Sequence, residues 1–343
     1  MAAARRDAEG RLTMRVIGGP DSPELPSDIG ATVVTVGTFD GVHCGHQDVL
    51  ARLRTRAAAS GLVSLLVTFD PHPLEIINPE AAPLLLTTRD EKLALLERSA
   101  IDVVAALPFT KQLARRSATE FVDEILLGRF RMAELLLGHD HGFGRGREGD
   151  ITLLRELGRT RGFVVDAVPP VLTDAGEPVS STLVRRSVAA GELGRARSLL
   201  GRWYSVSGQV VAGEARGRLL GFPTLNVDPG DQRKLLPPDG VYAVQVVGSR
   251  GRFDGMMNLG GRPTFGDERR TLEAHLFDAQ GDFYGDRVDV AFVARLRDTM
   301  RFPDAESLVA QLRRDSESAR RALTALGGSH NLNGSTHVPP STP

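Results

Sequence analysis

The sequence predicts an α/β unit followed by an all-β unit, and three observations carry that prediction. From residue 32 to about residue 200, apolar β-favouring runs alternate with segments of helical periodicity. Beyond Leu200-Gly201-Arg202 the helical spacing stops and strand-like runs follow one another closely, the pattern of a small antiparallel barrel. At 343 residues, with 41% hydrophobic and 25% charged residues, the chain has ordinary globular composition and the length of two domains.

Residues 1–30 contain Pro20, Pro23 and Pro26 without sustained periodicity and read as an irregular lead-in, with one short edge strand at Met14–Ile17. In residues 31–200, strands are expected at Val33–Val36, Leu62–Thr68, Val103–Leu107, Ala133–Leu137 and Phe163–Val168. The intervening helices make this a parallel sheet with crossovers. Gln47–Ala59 carries Val49, Leu50, Leu53 and Ala57 at helical spacing. Thr88-Xaa-Xaa-Glu91 and Ser117-Xaa-Xaa-Glu120 are capping boxes that open two more helices, and Val188–Leu200 is the last. Residues 201–326 supply strands at Tyr204–Val211, Val241–Val247, Gly255–Leu259, Leu272–Phe277 and Val288–Val293. A helix from about Asp304 to Ala325 packs on them through Leu308 and Leu312. Residues 327–343 are Gly, Ser, Asn, Thr and Pro with few apolar side chains, too little to order a tail.

The bulk numbers narrow the function. A net charge of −1 argues against a general nucleic-acid binder. The only lysines are Lys92, Lys111 and Lys234, none after a glycine, so the Gly-Lys-Ser/Thr phosphate loop is absent. Any nucleotide phosphates must be held by arginine, histidine, backbone N–H groups or a metal ion. The single cysteine, Cys44, suits a reducing compartment. The first ten residues are polar and charged, and no apolar run approaches the roughly 18 residues of a membrane span, so a cytoplasmic protein is expected.

The chemistry concentrates in loops that follow the strands, where ligands bind in open parallel sheets. The first strand runs into Gly37-Thr38-Phe39-Asp40-Gly41-Val42-His43-Cys44-Gly45-His46 at a strand-to-helix junction. His43 and His46 fall on one side of the first helical turn, and a helix N-terminus favours anions there. Histidine-Xaa-Gly-histidine in that setting points to nucleotidyl transfer. Two plainer readings are helix capping and, with Cys44, a zinc site that lacks a closed ligand set. After the second strand comes Thr68-Phe69-Asp70-Pro71-His72-Pro73, where His72 reads equally as a packed turn residue. After the fourth comes Gly138-His139-Asp140-His141-Gly142-Phe143-Gly144-Arg145-Gly146, which also reads as a flexible turn. After the fifth, Ser181 and Thr182 suit a helix N-terminus that grips phosphate, with Arg185 one turn on; a simple cap with a surface arginine is the alternative.

A second site is expected in the barrel. Gly213, Gly217 and Gly221 recur every fourth residue around Arg216 and Arg218, so the loop can fold its N–H groups over phosphates while the arginines neutralise charge. Thr224 and Asn226 offer hard oxygen ligands suited to Mg²⁺. Glu273 lies on a strand, on the face it shares with Thr271 and His275; there it serves as a base or as a solvated residue.

Taken together, Gly-Xaa-Phe-Asp-Gly-Val-His-Xaa-Gly-His at 37–46, Thr-Phe-Asp-Pro-His-Pro at 68–73, Ser-Ser-Thr-Xaa-Xaa-Arg at 180–185, Gly-Phe-Pro-Thr-Xaa-Asn at 221–226, Gly-Xaa-Arg-Pro-Thr-Phe at 260–265 and Thr-Xaa-Glu-Xaa-His at 271–275 resemble the bacterial bifunctional riboflavin kinase/FAD synthetase family. The resemblance spans about residues 30 to 320. It implies a Rossmann-like nucleotidyltransferase domain that converts FMN and ATP to FAD and pyrophosphate. It also implies a riboflavin kinase barrel that converts riboflavin and ATP to FMN. ATP, riboflavin and FMN are then the partners, with Mg²⁺ as the metal and neither nucleic acid nor membrane involved. Carried over by position, Gly37, Phe39, Asp40, His43 and His46 meet ATP, the two histidines catalytically. Asp70 and Asp140 contact the flavin substrate, and Ser181, Thr182 and Arg185 hold the triphosphate. In the barrel, Gly213, Gly217, Arg218 and Thr224 bind ATP, Thr224 and Asn226 bind Mg²⁺, and Glu273 is the base. Two departures stand out: Leu225 replaces the family's usual alanine, and the 139–144 loop has His141 where phenylalanine is more common. They leave a one-step enzyme, or a non-catalytic flavin-binding regulator, as rival readings.

Overall fold

A computed structural model describes residues 14–18, 25–138, 144, 148–213, 217, 220–261 and 270–329. By its contacts the chain divides into two compact units, Met1–Val184 and Arg185–Pro343.

The first unit is a six-stranded parallel sheet of β1 (Arg15–Ile17), β2 (Thr32–Val36), β3 (Val63–Asp70), β4 (Val103–Pro108), β5 (Met132–Leu137) and β6 (Val164–Ala167), in the order β1-β4-β3-β2-β5-β6. Each expected strand is present. Alternate residues of the central strands serve opposite layers: Val34, Leu65, Val103 and Leu135 enter one buried cluster, and Val33, Leu66, Val104 and Leu136 the other. Both faces are covered, which is why these strands read as continuous apolar runs and not as alternation. The chain builds outward from β2 to β3 and β4, then crosses back to place β5 on the other side of β2. The order therefore reverses between β2 and β5, the position where open sheets bind ligands beyond their strand ends.

Helices α1 (Cys44–Ser60), α2 (Pro73–Ile77), α3 (Arg89–Glu97), α4 (Lys111–Ala114), α5 (Ala118–Glu120) and α6 (Ile151–Arg161) connect the strands. Both expected capping boxes form, at Thr88 with Glu91 and at Ser117 with Glu120. The helix opened by Ser117 differs from expectation after α5: Phe121–Arg129 is wound as a π-helix, closed by a hydrogen bond from the Phe130 N–H to the Ile125 carbonyl.

A second difference lies at Val188–Leu200, where two helices replace one. These are α7 (Ser181–Ala189) and α8 (Leu193–Leu200). Gly191 has φ +73° and Glu192 N–H donates to the Ser187 carbonyl, so a left-handed cap ends α7. Residues 185–200, assigned by sequence to the first domain, cluster with the second unit because α8 lies against its strands at residues 204–211 and 287–297.

The second unit is a closed antiparallel barrel of β7 (Tyr204–Val211), β8 (Leu225–Asp228), β9 (Gly240–Gly248), β10 (Gly251–Gly261), β11 (Arg270–Leu276) and β12 (Arg287–Arg297), in the order β10-β11-β8-β7-β12-β9 with β9 closing on β10. Burial alternates along β7 and β11, as a filled barrel requires. Strand β8 is not among the expected strands: four residues holding Asn and Asp, just after a proline, carry little strand propensity. Its place between β7 and β11 supplies the pairing. Helix α9 (Ala305–Ser329) packs Ala319 and Leu323 on Ala243, Met256, Phe277 and Val293, with Leu312 at the margin. Arg297 of β12 fastens it through a paired contact with the buried Asp315 carboxylate at 2.7 to 3.0 Å.

Candidate active sites

At the carboxyl end of β2 the histidine loop forms a stack of three rings. The His43 and His46 rings are parallel with centroids 3.6 Å apart, and Phe39 covers the other side of His46 at 4.5 Å. One turn of helix places the histidines together, as their spacing predicts. His43 is the N-cap of α1, its Nδ1 accepting the His46 backbone N–H at 3.3 Å. The capping reading is therefore correct for that nitrogen, and it determines the tautomer: in the neutral ring the proton sits on Nε2, which makes Nε2 a donor. His46 Nδ1 is buried without a hydrogen-bond partner. Burial, with the nearby charge of Lys92, holds the His46 imidazole well below the ordinary histidine value, so it is neutral at pH 7.

The loop that carries this stack is tightly constrained. Phe39 has φ +49° and Val42 φ +38°, conformations that bulky side chains rarely adopt. Gly37 is required by close approach: a Cβ there would lie 2.9 Å from the Phe39 ring. Asp40, expected at ATP, is buried, and its carboxylate accepts the backbone N–H groups of Leu86 and Thr87 at 3.0 and 2.9 Å and the Thr87 hydroxyl at 3.0 Å. The Gly41 N–H donates to the Thr87 hydroxyl oxygen at 3.0 Å. The Asp40 side chain thus shapes the turn. Its carbonyl accepts the Ser181 hydroxyl at 2.8 Å, which brings the start of α7 against the histidine loop. Ser180, not Ser181, caps that helix by accepting the Leu183 N–H at 3.3 Å. Thr182 is exposed, and Arg185 lies one turn along α7.

Asp70 ends β3, half-exposed, with its carboxylate 3.5 Å from Arg89. His72 has the turn role: it caps α2 by accepting the Leu74 N–H, while Glu75 accepts the His72 N–H. Asp140 lies outside the described residues. Among the described residues no group of three or more His, Cys, Asp or Glu is arranged to hold a metal ion.

The barrel site rests on strand register. Asn226 of β8 and Asn258 of β10 lie directly opposite Glu273 of β11, one on each side, so the three form a row across three strands on one face. Thr224 is two residues before Asn226, just ahead of β8. Gly213 and Gly217 pack closely against this segment: a Cβ on Gly213 would come within 1.8 Å of the Asn226 amide nitrogen, and one on Gly217 within 2.2 Å of the Phe222 carbonyl and 3.4 Å of the Thr224 hydroxyl. His275 holds the same segment, its Nδ1 2.8 Å from the Pro223 carbonyl oxygen and its ring edge-on to Phe222. A hydroxyl, an amide oxygen and a carboxylate are hard donors, so this cluster fits Mg²⁺. Arg218 and residues 262–265 of the fifth motif lie outside the described residues.

Sequence reasoning misses two site-shaping residues, Thr87 and Lys92. The available signal is a lysine four residues before Leu96, on the core-facing stripe of a helix; both are buried.

Comparison with known proteins matches each half of the chain to a family. A family model described as FAD synthetase matches residues 25–183, and one described as riboflavin kinase matches residues 200–323. The chain belongs to the bifunctional riboflavin kinase/FMN adenylyltransferase family. It is 38% identical over 289 residues to the Escherichia coli K12 protein of that name, covering 84% of this chain and 91% of the relative. The Pseudomonas fluorescens protein is 41% identical over 300 residues, covering 85% and 93%. A solved structure described as a macrolide-efflux protein from Streptococcus pneumoniae superposes with a TM-score of 0.76 at 32% identity, covering 85% of this chain and 96% of that one. The chain phosphorylates riboflavin to FMN and adenylylates FMN to FAD. Among the described residues no helix is long and apolar enough to cross a membrane.

Proposed function

We propose that the histidine stack at the end of β2 performs the adenylyl transfer and that the Asn226-Glu273 row performs the phosphorylation. In the barrel, Glu273 accepts the proton of the riboflavin 5′-hydroxyl as that oxygen bonds to the γ-phosphorus of ATP, and the bond to the β,γ-bridging oxygen breaks to release ADP. Thr224 and Asn226 would hold Mg²⁺, which when bound neutralises charge on the ATP phosphates. Gly213, Gly217 and Arg218 bind the nucleotide. In the parallel-sheet unit, a phosphate oxygen of FMN bonds to the α-phosphorus of ATP and pyrophosphate leaves. His43 and His46, at the positive end of α1, hold the triphosphate and its developing charge, with Ser181, Thr182 and Arg185 on α7 as further phosphate ligands. Gly37 and Phe39 set the histidine rings, and Asp70 and Asp140 face the flavin mononucleotide. Neither step needs a covalent intermediate, so positioning and charge stabilisation carry both.

The observation that supports this reading is that Phe39, His43 and His46 stack at the end of β2 in the first compact unit, while Asn226, Glu273 and Asn258 stand abreast on three strands of the second. One cysteine and a balanced charge are consistent with a cytoplasmic enzyme. The test separates the steps by product analysis. Glu273→Gln should slow riboflavin phosphorylation by about 10²- to 10⁴-fold, the usual worth of a general base, while FMN is still converted to FAD. His46→Ala should do the reverse. If either substitution removes both activities from folded protein, the two-site assignment is wrong.

A further inference from the structure

We infer that Lys92 is a positioning residue for adenylyl transfer: from α3 it clamps the carboxyl ends of β2 and β3 and supplies a fixed positive charge behind the histidine stack. The inference rests on the site reading above and extends it to a residue with no motif of its own. Lys92 is buried in the core-facing stripe of α3, and its Nζ lies 3.3 Å from the Thr38 carbonyl, 3.2 Å from the Phe69 carbonyl and 3.4 Å from the Thr68 hydroxyl. An ammonium has three donors, and here three oxygens receive them. The Thr68 hydroxyl in turn donates to the same Thr38 carbonyl at 3.0 Å, so one lysine and one threonine join two neighbouring strands where both end.

The residue that follows Thr38 is Phe39, the first positive-φ position of the histidine turn and one wall of the ring stack. A shift of the Thr38 carbonyl moves that wall directly. The other side of the turn is pinned by Asp40 to Leu86 and Thr87, just before α3. The segment 86–92 therefore holds the turn at both ends, with a carboxylate bridge at one and an ammonium bridge at the other.

A neutral side chain could fill the same volume at lower cost, because burying a charge among neutral oxygens is expensive. The charge has a use at this place. Triphosphate is bound at the mouth of β2, and a cation held beneath the loop stabilises negative charge there without having to move. The groups facing it from the packed elements are Asp40 in the loop after β2, Asp70 at the end of β3, Arg89 on α3 and His46 on α1. Burial lowers the Lys92 value, and the two aspartates counter it. The Lys92 charge also helps to keep His46 neutral.

The test compares Lys92→Met with Thr68→Val in the full-length enzyme, following FMN-to-FAD conversion and the titration of the His46 ring by NMR. For Lys92→Met, kcat should fall about 100-fold, the scale of a misplaced reacting group, with the KM for ATP changed much less. The His46 midpoint should move up, because a neighbouring positive charge has gone. Thr68→Val keeps the charge and loosens the clamp, so kcat should fall about tenfold while the His46 midpoint stays in place. Should Lys92→Met not fold, Thr68→Val decides: wild-type kcat would overturn the inference. A folded Lys92→Met enzyme with wild-type kcat, or with an unmoved His46 midpoint, would overturn it as well. His46→Ala run in parallel separates the two readings: if it too forms FAD normally, the site assignment has failed; if it alone is inactive, only the role of Lys92 has.

Discussion

At the end of the parallel sheet the histidine stack is held by buried polar bridges from distant segments, whereas in the barrel the Asn226-Glu273-Asn258 row is held by the pairing of neighbouring strands. The histidine loop has two bulky residues at positive φ and depends on Asp40, Thr87 and Lys92 to keep it there. The Asn226-Glu273-Asn258 row needs no such bridges, because the ladder itself sets those side chains abreast. The adenylyl site should consequently be sensitive to substitutions outside the first layer of contacts. The kinase site should tolerate those and respond instead to anything that alters register or the clearance between Gly213 and Asn226.

The largest break in this contrast is expected from Asp40→Ala. It removes three hydrogen bonds to a buried carboxylate and leaves the Leu86 and Thr87 N–H groups without their acceptor. Denaturant unfolding should show a loss of about 3 kcal/mol, and FAD formation from FMN should fall about 100-fold. Riboflavin phosphorylation should be unaffected, and a comparable loss in it would erase the distinction between the sites. Gly213→Ala is the converse. The added methyl would strike the Asn226 amide, so riboflavin phosphorylation should drop by about tenfold or more while steady-state adenylyl transfer remains at the wild-type rate.

A smaller effect comes from pH. Because His46 in the folded chain has its pKa depressed, the unfolded chain binds a proton that the folded chain does not once pH falls below about 6.5. Stability is therefore lost as pH falls from that value towards the folded pKa. Calorimetric scans from pH 7 to pH 5 should show the transition of the adenylyltransferase unit moving down by a few degrees, about 2–4 °C per kcal/mol for a unit of this size. His46→Gln should flatten that dependence. An equally steep slope in the variant would mean that other groups carry it.

Both units can be read from the sequence. The apolar runs that form β2 to β6 are continuous because both their faces are covered, and the capping boxes at Thr88 and Ser117 mark where two helices begin. The histidine pair is legible because three residues make one turn of helix. Strand β8 is not, since Leu225-Asn226-Val227-Asp228 has no propensity to announce it and pairs only because β7 and β11 leave a place between them. The break at Gly191 is hidden for a related reason: Glu192 N–H reaching the Ser187 carbonyl is a capping geometry, and apolar spacing continues through it.

The amino-acid order by itself determined the two-part architecture, the six motifs and the chemistry of their side chains, because periodicity, capping and residue type act over a few positions. Tertiary structure alone decided that Asp40 anchors a turn, that Lys92 reaches the Thr38 carbonyl beside the histidine turn and that Asn226 faces Glu273. Those contacts join residues 46 or more positions apart, and only burial and strand register in the folded chain bring them together.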